Sequence, residues 1–368
     1  MKKVSLILLA VLVLFSSACS RQQSGAGRST EVFELALVTD LGTIDDKSFN
    51  QGSWEGLVEY ASANNITHKY YQPSEQSNDS YLSTIDLAVR GGAKLIVTPG
   101  FLFETPVFVA QDRYPDVNFI LVDGQPNDGD WSKGAPVYRT GKNVVGVLYA
   151  EDQAGFLAGY AAVKDGNTSL GFMGGMAVPA VVRFGYGFVQ GAEYAASELG
   201  LSVGSISIQY HYTGHFNASP EVQTMAASWY NAGVDVIFGC GGAVGNSVMA
   251  AAEQAGKKVI GVDVDQSSES HTVITSAMKG LQASVFACIS TYYSGRFPGG
   301  QTQVFEAVNS GVGLPMSTSR FINFNDDDYN GIYHLLANGT IPRMMDVPSA
   351  NGSPSVVPVR IVRVTEVN

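Results

Sequence analysis

The order of apolar and polar positions along the chain predicts strands and helices in alternation. Short apolar runs rich in β-branched residues, typical of buried strands, occur at 32–40, 68–73, 93–100, 118–123 and 143–149. Stretches of helical length lie between or after them, at 47–64, 81–91, 104–114 and 152–164. Such alternation predicts a parallel sheet built from βαβ crossovers and covered by helices on both faces.

The same alternation then restarts. Strands are predicted at 168–175, 203–212, 234–240 and 258–265, with helices between them at 183–199, 220–232 and 244–255. A chain of 368 residues also exceeds one ordinary hydrophobic core. The sequence therefore predicts an α/β protein with two doubly wound lobes.

The tail does not simply extend the second series. Its pattern predicts strands at 271–279, 300–308 and 357–364, and helices at 281–294 and 325–340. A chain that returns after both series are complete is expected to cross between the lobes again, which would create a hinge of several segments. We predict an N-terminal lobe of residues 32–149 plus about 270–300, and a C-terminal lobe of 150–265 plus about 301–368.

The N-terminus has the pattern of a targeting segment. Lys2 and Lys3 precede an apolar run at 4–15, and small residues follow directly before Cys19. We predict a signal peptide over residues 1–18, lipidation of Cys19 as in bacterial lipoproteins, and a polar, flexible tether over 19–31. The mature protein would then be anchored to the cell membrane and face the periplasm or the exterior. A plain signal peptide cleaved nearby is the alternative.

The net charge argues against some classes of ligand, and the cysteine content limits the possible disulfides. The net charge of −11 becomes −13 when Lys2 and Lys3 are removed with the signal peptide. An acidic protein is not expected to bind nucleic acid or anionic lipid headgroups. Cys240 and Cys288 are the remaining cysteines, and the sequence leaves open whether they form a disulfide.

Candidate binding residues follow the predicted strands. Ligands of open α/β sheets bind beyond the carboxyl ends of the strands. The polar, aromatic and glycine residues at these positions are Asp40, Phe49, Asn50, Thr98, Gly100 and Asp123 in the first series, and Gly174, Gly175, Phe216, Cys240, Gly241, Gly242, Asp263, Asp265 and Lys279 afterwards. A carboxylate can accept hydrogen bonds from neighbouring sugar hydroxyls, and aromatic rings can stack on a planar base.

Four acidic residues divide between folding and binding. Asp45 and Asp46 precede a predicted helix, and we assign both to capping its N-terminus. Asp40 and Asp123 end apolar strands, where a carboxylate contributes nothing to packing. We therefore assign Asp40 and Asp123 to ligand contact.

Three further residues remain open on this reasoning alone. Phe49 and Phe216 could line a ligand site or belong to the core, although both lie in polar surroundings. Lys279 could bind a ligand or extend its ammonium group to solvent.

Motifs for catalysis or metal binding are incomplete. Residues 326–331 imitate the start of a calcium-binding loop, but Ala337 occupies the position that needs a bidentate Glu. His211 and His215 are four residues apart in a predicted strand and loop, which is a weak metal signal. No catalytic signature such as G-x-S-x-G or H-E-x-x-H is present. We therefore predict neither an enzyme nor a metal or cofactor.

Several segments together resemble one known family. The segments "VTDLGTIDDKSFNQGSWEG", "FILVD", "RFGYGFVQG", "VDVIFGCGGAVGN", "GVDVDQ", "VITSAMK" and "FPGGQ" resemble the basic membrane protein family, the lipid-anchored substrate-binding proteins of ABC transporters. The likeness spans residues 33–365 and is greatest to spirochaete purine nucleoside receptor lipoproteins. It implies a type I periplasmic-binding-protein fold with two lobes and a hinge of three segments.

The resemblance also implies how a purine base is held. By motif position, Phe49 and Phe216 would enclose the base between their rings. Asn50 and Asp123 would contact its polar edge, and Asp40 would lie beside them.

The resemblance assigns a second group of residues to the sugar. Asp263 would hold the ribose hydroxyls, assisted by Lys279 and by the backbone near Gly241. Phe188 matches a further aromatic position that lines the site, and Cys240 stands where the family commonly has Ala or Ser.

Three functions follow as hypotheses. The first is a receptor that captures adenosine, guanosine or inosine and delivers it to a membrane permease. The second is a surface lipoprotein that acts as an adhesin or signalling receptor and does not need the pocket. The third is a receptor for a sugar or another small polar solute.

Overall fold

The computed structural model describes residues 32–40, 42–343 and 352–367. Within these ranges it confirms the α/β fold with two lobes. The predicted signal peptide, lipidated Cys19 and tether lie outside the described residues. No helix in the described ranges is long and apolar enough to cross a membrane.

The elements closely match the predicted alternation. The strands are β1 Leu35–Val38, β2 His68–Tyr71, β3 Leu95–Pro99, β4 Asn118–Val122, β5 Val144–Tyr149, β6 Ser169–Gly174, β7 Ile206–Tyr212, β8 Val236–Cys240, β9 Lys258–Asp263, β10 Val273–Lys279, β11 Gln301–Phe305, β12 Val312–Gly313 and β13 Val362–Glu366. The α-helices are α1 Phe49–Asn64, α2 Asn78–Arg90, α3 Glu104–Arg113, α4 Glu151–Lys164, α5 Pro179–Glu198, α6 Pro220–Asn231, α7 Val244–Ala255, α8 Leu281–Tyr293 and α9 Asp326–Ala337.

Each lobe is built around one sheet. The first sheet has the order β11-β5-β4-β3-β1-β2, and all of its pairings are parallel. The second has the order β12-β10-β9-β8-β6-β7-β13, and only the short β12 runs antiparallel to its neighbour. Every residue of β1, β3 and β8 is buried, as expected for apolar strands covered on both faces.

Within the described residues the chain passes between the sheets three times. It crosses from β5 to α4, from β10 to α8, and again after β11. These crossings correct the predicted lobe boundaries, because β10 pairs with β9 in the second sheet and β11 pairs with β5 in the first. The local pattern of 271–279 predicted a strand correctly, but the partner of this strand is decided by pairing between distant segments.

Glycines bring α4 and α5 into unusually close contact. A Cβ at Gly159 would lie 2.1 Å from the Phe188 carbonyl oxygen, and one at Gly187 would lie 2.0 Å from that of Asp152. Only glycine permits this approach of two helix backbones. The packing fixes α5 against the start of α4, directly beside the first crossing between the lobes.

Candidate ligand-binding site

A cavity of about 770 Å³ lies where the carboxyl ends of the strands in the two sheets face each other. Eight of the nine binding residues predicted from the sequence line it: Asp40, Phe49, Asn50, Asp123, Phe216, Gly241, Asp263 and Lys279. A volume of this size is typical of small-molecule sites, and the position is the one expected for open α/β sheets.

The start of α1 is held by one carboxylate. Asp46 accepts hydrogen bonds from the backbone N–H groups of Ser48 (2.9 Å), Asn50 (3.0 Å) and Gln51 (3.1 Å). These bonds satisfy amides that a helix N-terminus otherwise leaves free, which confirms the predicted capping role. The same prediction is wrong for Asp45, which is exposed at the cavity and makes no hydrogen bond within the described residues.

Capping of α1 positions a buried amide group at the cavity. The Asn50 side chain donates through Nδ2 to Asp40 Oδ1 and Asp46 Oδ2, both at 3.0 Å. Its Oδ1 atom is buried and has no partner in the described part of the chain. Burial raises the pKa values of Asp40 and Asp46 above that of a free aspartate. A ligand that donates a hydrogen bond to Asn50 Oδ1 would satisfy the remaining acceptor.

Lys279 joins carboxylates of the two lobes. Its Nζ atom lies 2.5 Å from Asp123 Oδ2 and 3.1 Å from Asp263 Oδ1, and 4.4 Å from the centre of the Phe49 ring. Burial alone would lower the pKa of Lys279, but the surrounding carboxylates outweigh it and raise the pKa above that of a free lysine. The ammonium group therefore stays charged and holds the two acids in place.

The two acids are presented by strained turns. Asp123 and Asp263 both have left-handed backbone conformations, with φ of 57° and 68°. Such conformations cost about 1–3 kcal/mol for residues other than glycine and occur often at ligand sites. Ser48 donates to Asp263 Oδ2 across the lobes (2.5 Å), and Asp123 Oδ1 is buried with no partner among the described residues. A second acceptor is thus available to a ligand.

Phe49 and Phe216 bring aromatic rings from the two lobes to the cavity. Phe49 begins α1, and Phe216 follows β7 in the second lobe. The Phe216 ring packs on two glycines, since a Cβ at Gly175 would lie 2.4 Å from a ring carbon and one at Gly241 would lie 3.0 Å away. The glycines therefore decide where this ring can lie.

Phe188 was predicted to line the site, but it does not line the cavity. Its side chain is fully buried and packs in the core of the second lobe, with ring centres 5.4 Å from Phe238 and 6.3 Å from Phe172. Phe184, one helical turn earlier, lines the cavity instead. Both residues lie on the buried face of α5, and only the earlier one is close enough to the strand ends.

Sequence reasoning missed a charged pair beside the cavity. Arg183 lines it and donates through Nε to Glu151 Oε2 at 2.6 Å. Burial by itself would raise the pKa of Glu151, but attraction to Arg183 and Lys279 outweighs burial and lowers it. Glu151 lies two residues after the end of the apolar strand β5, so the argument that identified Asp40 and Asp123 would also have found it.

The structure also shows the surroundings of the two cysteines and of the histidine considered as a metal ligand. Cys240 and Cys288 are both buried and unpaired, so the disulfide left open by the sequence is not formed. The His211 Nδ1 atom lies 2.6 Å from the backbone oxygen of Val367. No cluster of potential metal ligands occurs within the described ranges.

Two facing α/β lobes with a cavity between their strand ends define the class of periplasmic binding proteins. An ABC transporter solute-binding protein from Aeropyrum pernix K1 superposes with a TM-score of 0.67 at 24% identity, over 88% of this chain and 85% of that one. Another from Conexibacter woesei DSM 14684 gives 0.64 at 21% identity, over 87% and 99%. These superpositions establish the fold, and at identities this low they establish the fold alone.

The family follows from the sequence itself. The family model for PnrA-like ABC transporter substrate-binding proteins (Bmp) matches residues 33–347, so the chain belongs to this family. The ABC transporter nucleoside-binding protein BmpA of Lactococcus lactis is 30% identical over 86% of this chain and 91% of its own. Basic membrane protein D of Borreliella burgdorferi is 29% identical over 86% and 87%. The resemblance inferred from the motifs is confirmed, and this class has a small-molecule ligand and a permease partner.

Proposed function

We propose that the protein captures a purine nucleoside (adenosine, guanosine or inosine) in the cleft and delivers it to the permease of an ABC transporter. The observation that carries the proposal is a pair of buried acceptors that have no partner among the described residues, Asn50 Oδ1 and Asp123 Oδ1, in a cavity to which each lobe adds a phenylalanine. The relative from Lactococcus lactis, named as nucleoside-binding, supports the same ligand class.

The base is proposed to lie between Phe49 and Phe216. Aromatic stacking of this kind contributes about 0.5–1.5 kcal/mol beyond the burial of area. Asn50 and Asp123 then accept hydrogen bonds from the polar edge of the base, and Asp40 keeps the Asn50 amide oriented. Pairing the two buried acceptors with ligand donors removes a desolvation cost of about 1–3 kcal/mol for each.

The ribose is proposed to lie against the second lobe. Asp263 accepts hydrogen bonds from the 2′- and 3′-hydroxyl groups, and Lys279 donates to one of their oxygens while holding Asp263 in position. Gly241, at a φ of 137°, lets backbone approach the sugar closely.

Delivery is proposed to depend on closure of the lobes about the three crossings. A ligand that contacts both lobes stabilises the closed state by the difference between its affinities for the closed and the open states. The permease would recognise the closed shape, and the proposed lipid on Cys19 would keep the receptor at the membrane. No covalent step is involved.

Mass spectrometry of the natively purified protein, followed by calorimetric titration, tests this function. We expect a co-purified purine nucleoside, or a dissociation constant in the micromolar range or below. Phe216→Ala should weaken binding about tenfold or more, whereas Tyr70→Ala, which removes a partly exposed ring outside the cavity, should not. A wild-type protein that binds no nucleoside, or binds a sugar more tightly, would refute the proposal and favour the adhesin or sugar-receptor hypothesis.

A further inference from the structure

Arg183 lines the cavity and is held in place by its neighbours. It lies near the start of α5, whose glycines pack directly on α4. Its Nε group donates to Glu151, a fully buried residue at the start of α4, and only 15% of the Arg183 side chain is exposed. The guanidinium group is therefore held rigidly in one orientation beside the ligand cleft.

The rest of the guanidinium group is unused. Apart from the bond through Nε, neither Nη1 nor Nη2 of Arg183 has a hydrogen-bond partner in the described part of the chain. A ligand that fills the cleft excludes water from these donors. Leaving donors unsatisfied is costly, and more so for a charged group. The matching ligand must therefore present an acceptor atom to Arg183.

The surrounding charge favours an uncharged acceptor. Four carboxylates lie near Arg183 and Lys279, and these two cations offset only half of their charge; the carboxylates are Glu104, Asp123, Glu151 and Asp263. A phosphate would add negative charge to a cluster that already has an excess of it. A hydroxyl oxygen accepts from Arg183 without that repulsion.

Building on the function proposed above, we propose that Arg183 donates to the 5′-hydroxyl oxygen of the bound nucleoside and so selects ligands with an uncharged oxygen at that position. Arg183 belongs to the second lobe, as do Asp263 and Lys279, which are proposed to hold the sugar. Lys279 Nζ is 5.6 Å from the centre of the ring of Phe184, the next residue after Arg183. Because the 2′- and 3′-hydroxyls pair with carboxylate, the 5′-hydroxyl is the sugar hydroxyl group that remains for Arg183.

Analogues of the ligand test the assignment on the wild-type protein. The probes are the tightest-binding of adenosine, guanosine and inosine, its 5′-deoxy derivative and its 5′-monophosphate, each titrated calorimetrically. Loss of a hydrogen bond to a charged donor predicts that the 5′-deoxy derivative binds about tenfold more weakly or worse. The 5′-monophosphate is expected to bind more weakly than the parent nucleoside.

A double variant links this selectivity to Arg183. Arg183→Met combined with Glu151→Gln removes both charges, so that no buried acid is left unpaired. In this variant the parent and the 5′-deoxy derivative should bind equally, whereas the loss caused by the 2′-deoxy derivative should match that in the wild type. Arg183→Lys should retain part of the 5′ selectivity. Arg90→Met, which breaks an exposed ion pair, serves as the control.

The outcomes separate the two proposals. If nucleosides bind but the 5′-deoxy derivative binds the wild type as tightly as its parent, only the Arg183 assignment fails. The same holds if the monophosphate binds more tightly, or if the 5′ selectivity survives in the double variant. If no nucleoside binds the wild type, the proposed function and this inference both fail.

Discussion

The two helices that begin at the cleft, α1 in the first lobe and α5 in the second, are positioned by different means. The first turn of α1 is held by polar contacts, three of them between backbone amides and Asp46. In the part of the chain that the structure describes, no side chain caps α5, which starts with Pro179 and is held by backbone packing on α4. We call the start of α1 the adjustable corner, because a single carboxylate holds it. We call the start of α5 the rigid corner, because the packing of two helix backbones holds it. The rigid corner carries the ion pair of Arg183 with Glu151 and the Nη donors of Arg183 that have no partner among the described residues.

The largest expected effect comes from removing the cation shared by both lobes. Lys279→Met leaves Asp123 and Asp263 buried without their partner. Breaking a buried ion pair costs about 3–5 kcal/mol, so the free energy of unfolding in urea should fall by about that amount and nucleoside binding should be lost. Lys94→Met, at an exposed pair, should change the stability little. Equal stability of the two variants would contradict the conclusion that Lys279 stabilises the buried acids Asp123 and Asp263.

A methyl group at the rigid corner should have the next largest effect. Gly159→Ala places a Cβ 2.1 Å from the Phe188 carbonyl oxygen, so α4 and α5 must separate. Overpacking costs about 3 kcal/mol in the free energy of unfolding and should also weaken ligand binding by moving Arg183. Gly331→Ala, in α9 with open space around it, should be neutral or slightly stabilising. If both substitutions prove harmless in urea unfolding, α5 is not rigidly held.

Titration of Asp123 should make stability depend on pH. Burial raises its pKa from 3.8 to about 7 despite the nearby ammonium group of Lys279, so below about pH 7 the folded protein keeps a proton that the unfolded chain has released, and above that pH Asp123 is the carboxylate that pairs with Lys279. The stabilising contribution is complete below about pH 4 and is lost as the pH rises through about 7. The stability of the wild type relative to Asp123→Asn should therefore fall by about 2 kcal/mol between about pH 5 and about pH 7. A constant difference across that range would contradict the raised pKa.

The smallest effect is expected at the adjustable corner. Asp46→Ala removes the acceptor for three backbone amides, and loss of a helix cap costs about 1 kcal/mol. Asp46→Asn should recover part of this, because an amide oxygen still accepts. Asp45→Ala, which removes an exposed carboxylate without hydrogen bonds in the described residues, is the matched control. A larger loss for Asp45→Ala than for Asp46→Ala in thermal unfolding would reverse the assignment.

Site residues can be identified from the sequence where a charged side chain ends an apolar run, because such a side chain contributes nothing to packing there. Asp40 and Asp123 end apolar strands, and both line the cavity. Glu151 carries the same signal, but its helix was predicted to begin one residue later, so it was overlooked. Arg183 was missed for a related reason, since α5 begins at Pro179 and not at residue 183.

Other features cannot be obtained from a local pattern. Phe184 and Phe188 lie four residues apart on one helical face, and periodicity alone cannot say which reaches the cavity. The sheet to which β10 belongs depends on pairing with β9 in a specific register. Both are decided by contacts between distant segments.

The three crossings also constrain how the protein can be made. Its first sheet lacks an edge strand until Gln301–Phe305 has been synthesised, and the second lacks one until Val362–Glu366. Neither lobe is therefore a module that can fold completely while the other is still being translated, in contrast to proteins whose domains are consecutive. A receptor with this chain connectivity completes its folding as one unit. Neither lobe can be exchanged by a single recombination between two genes.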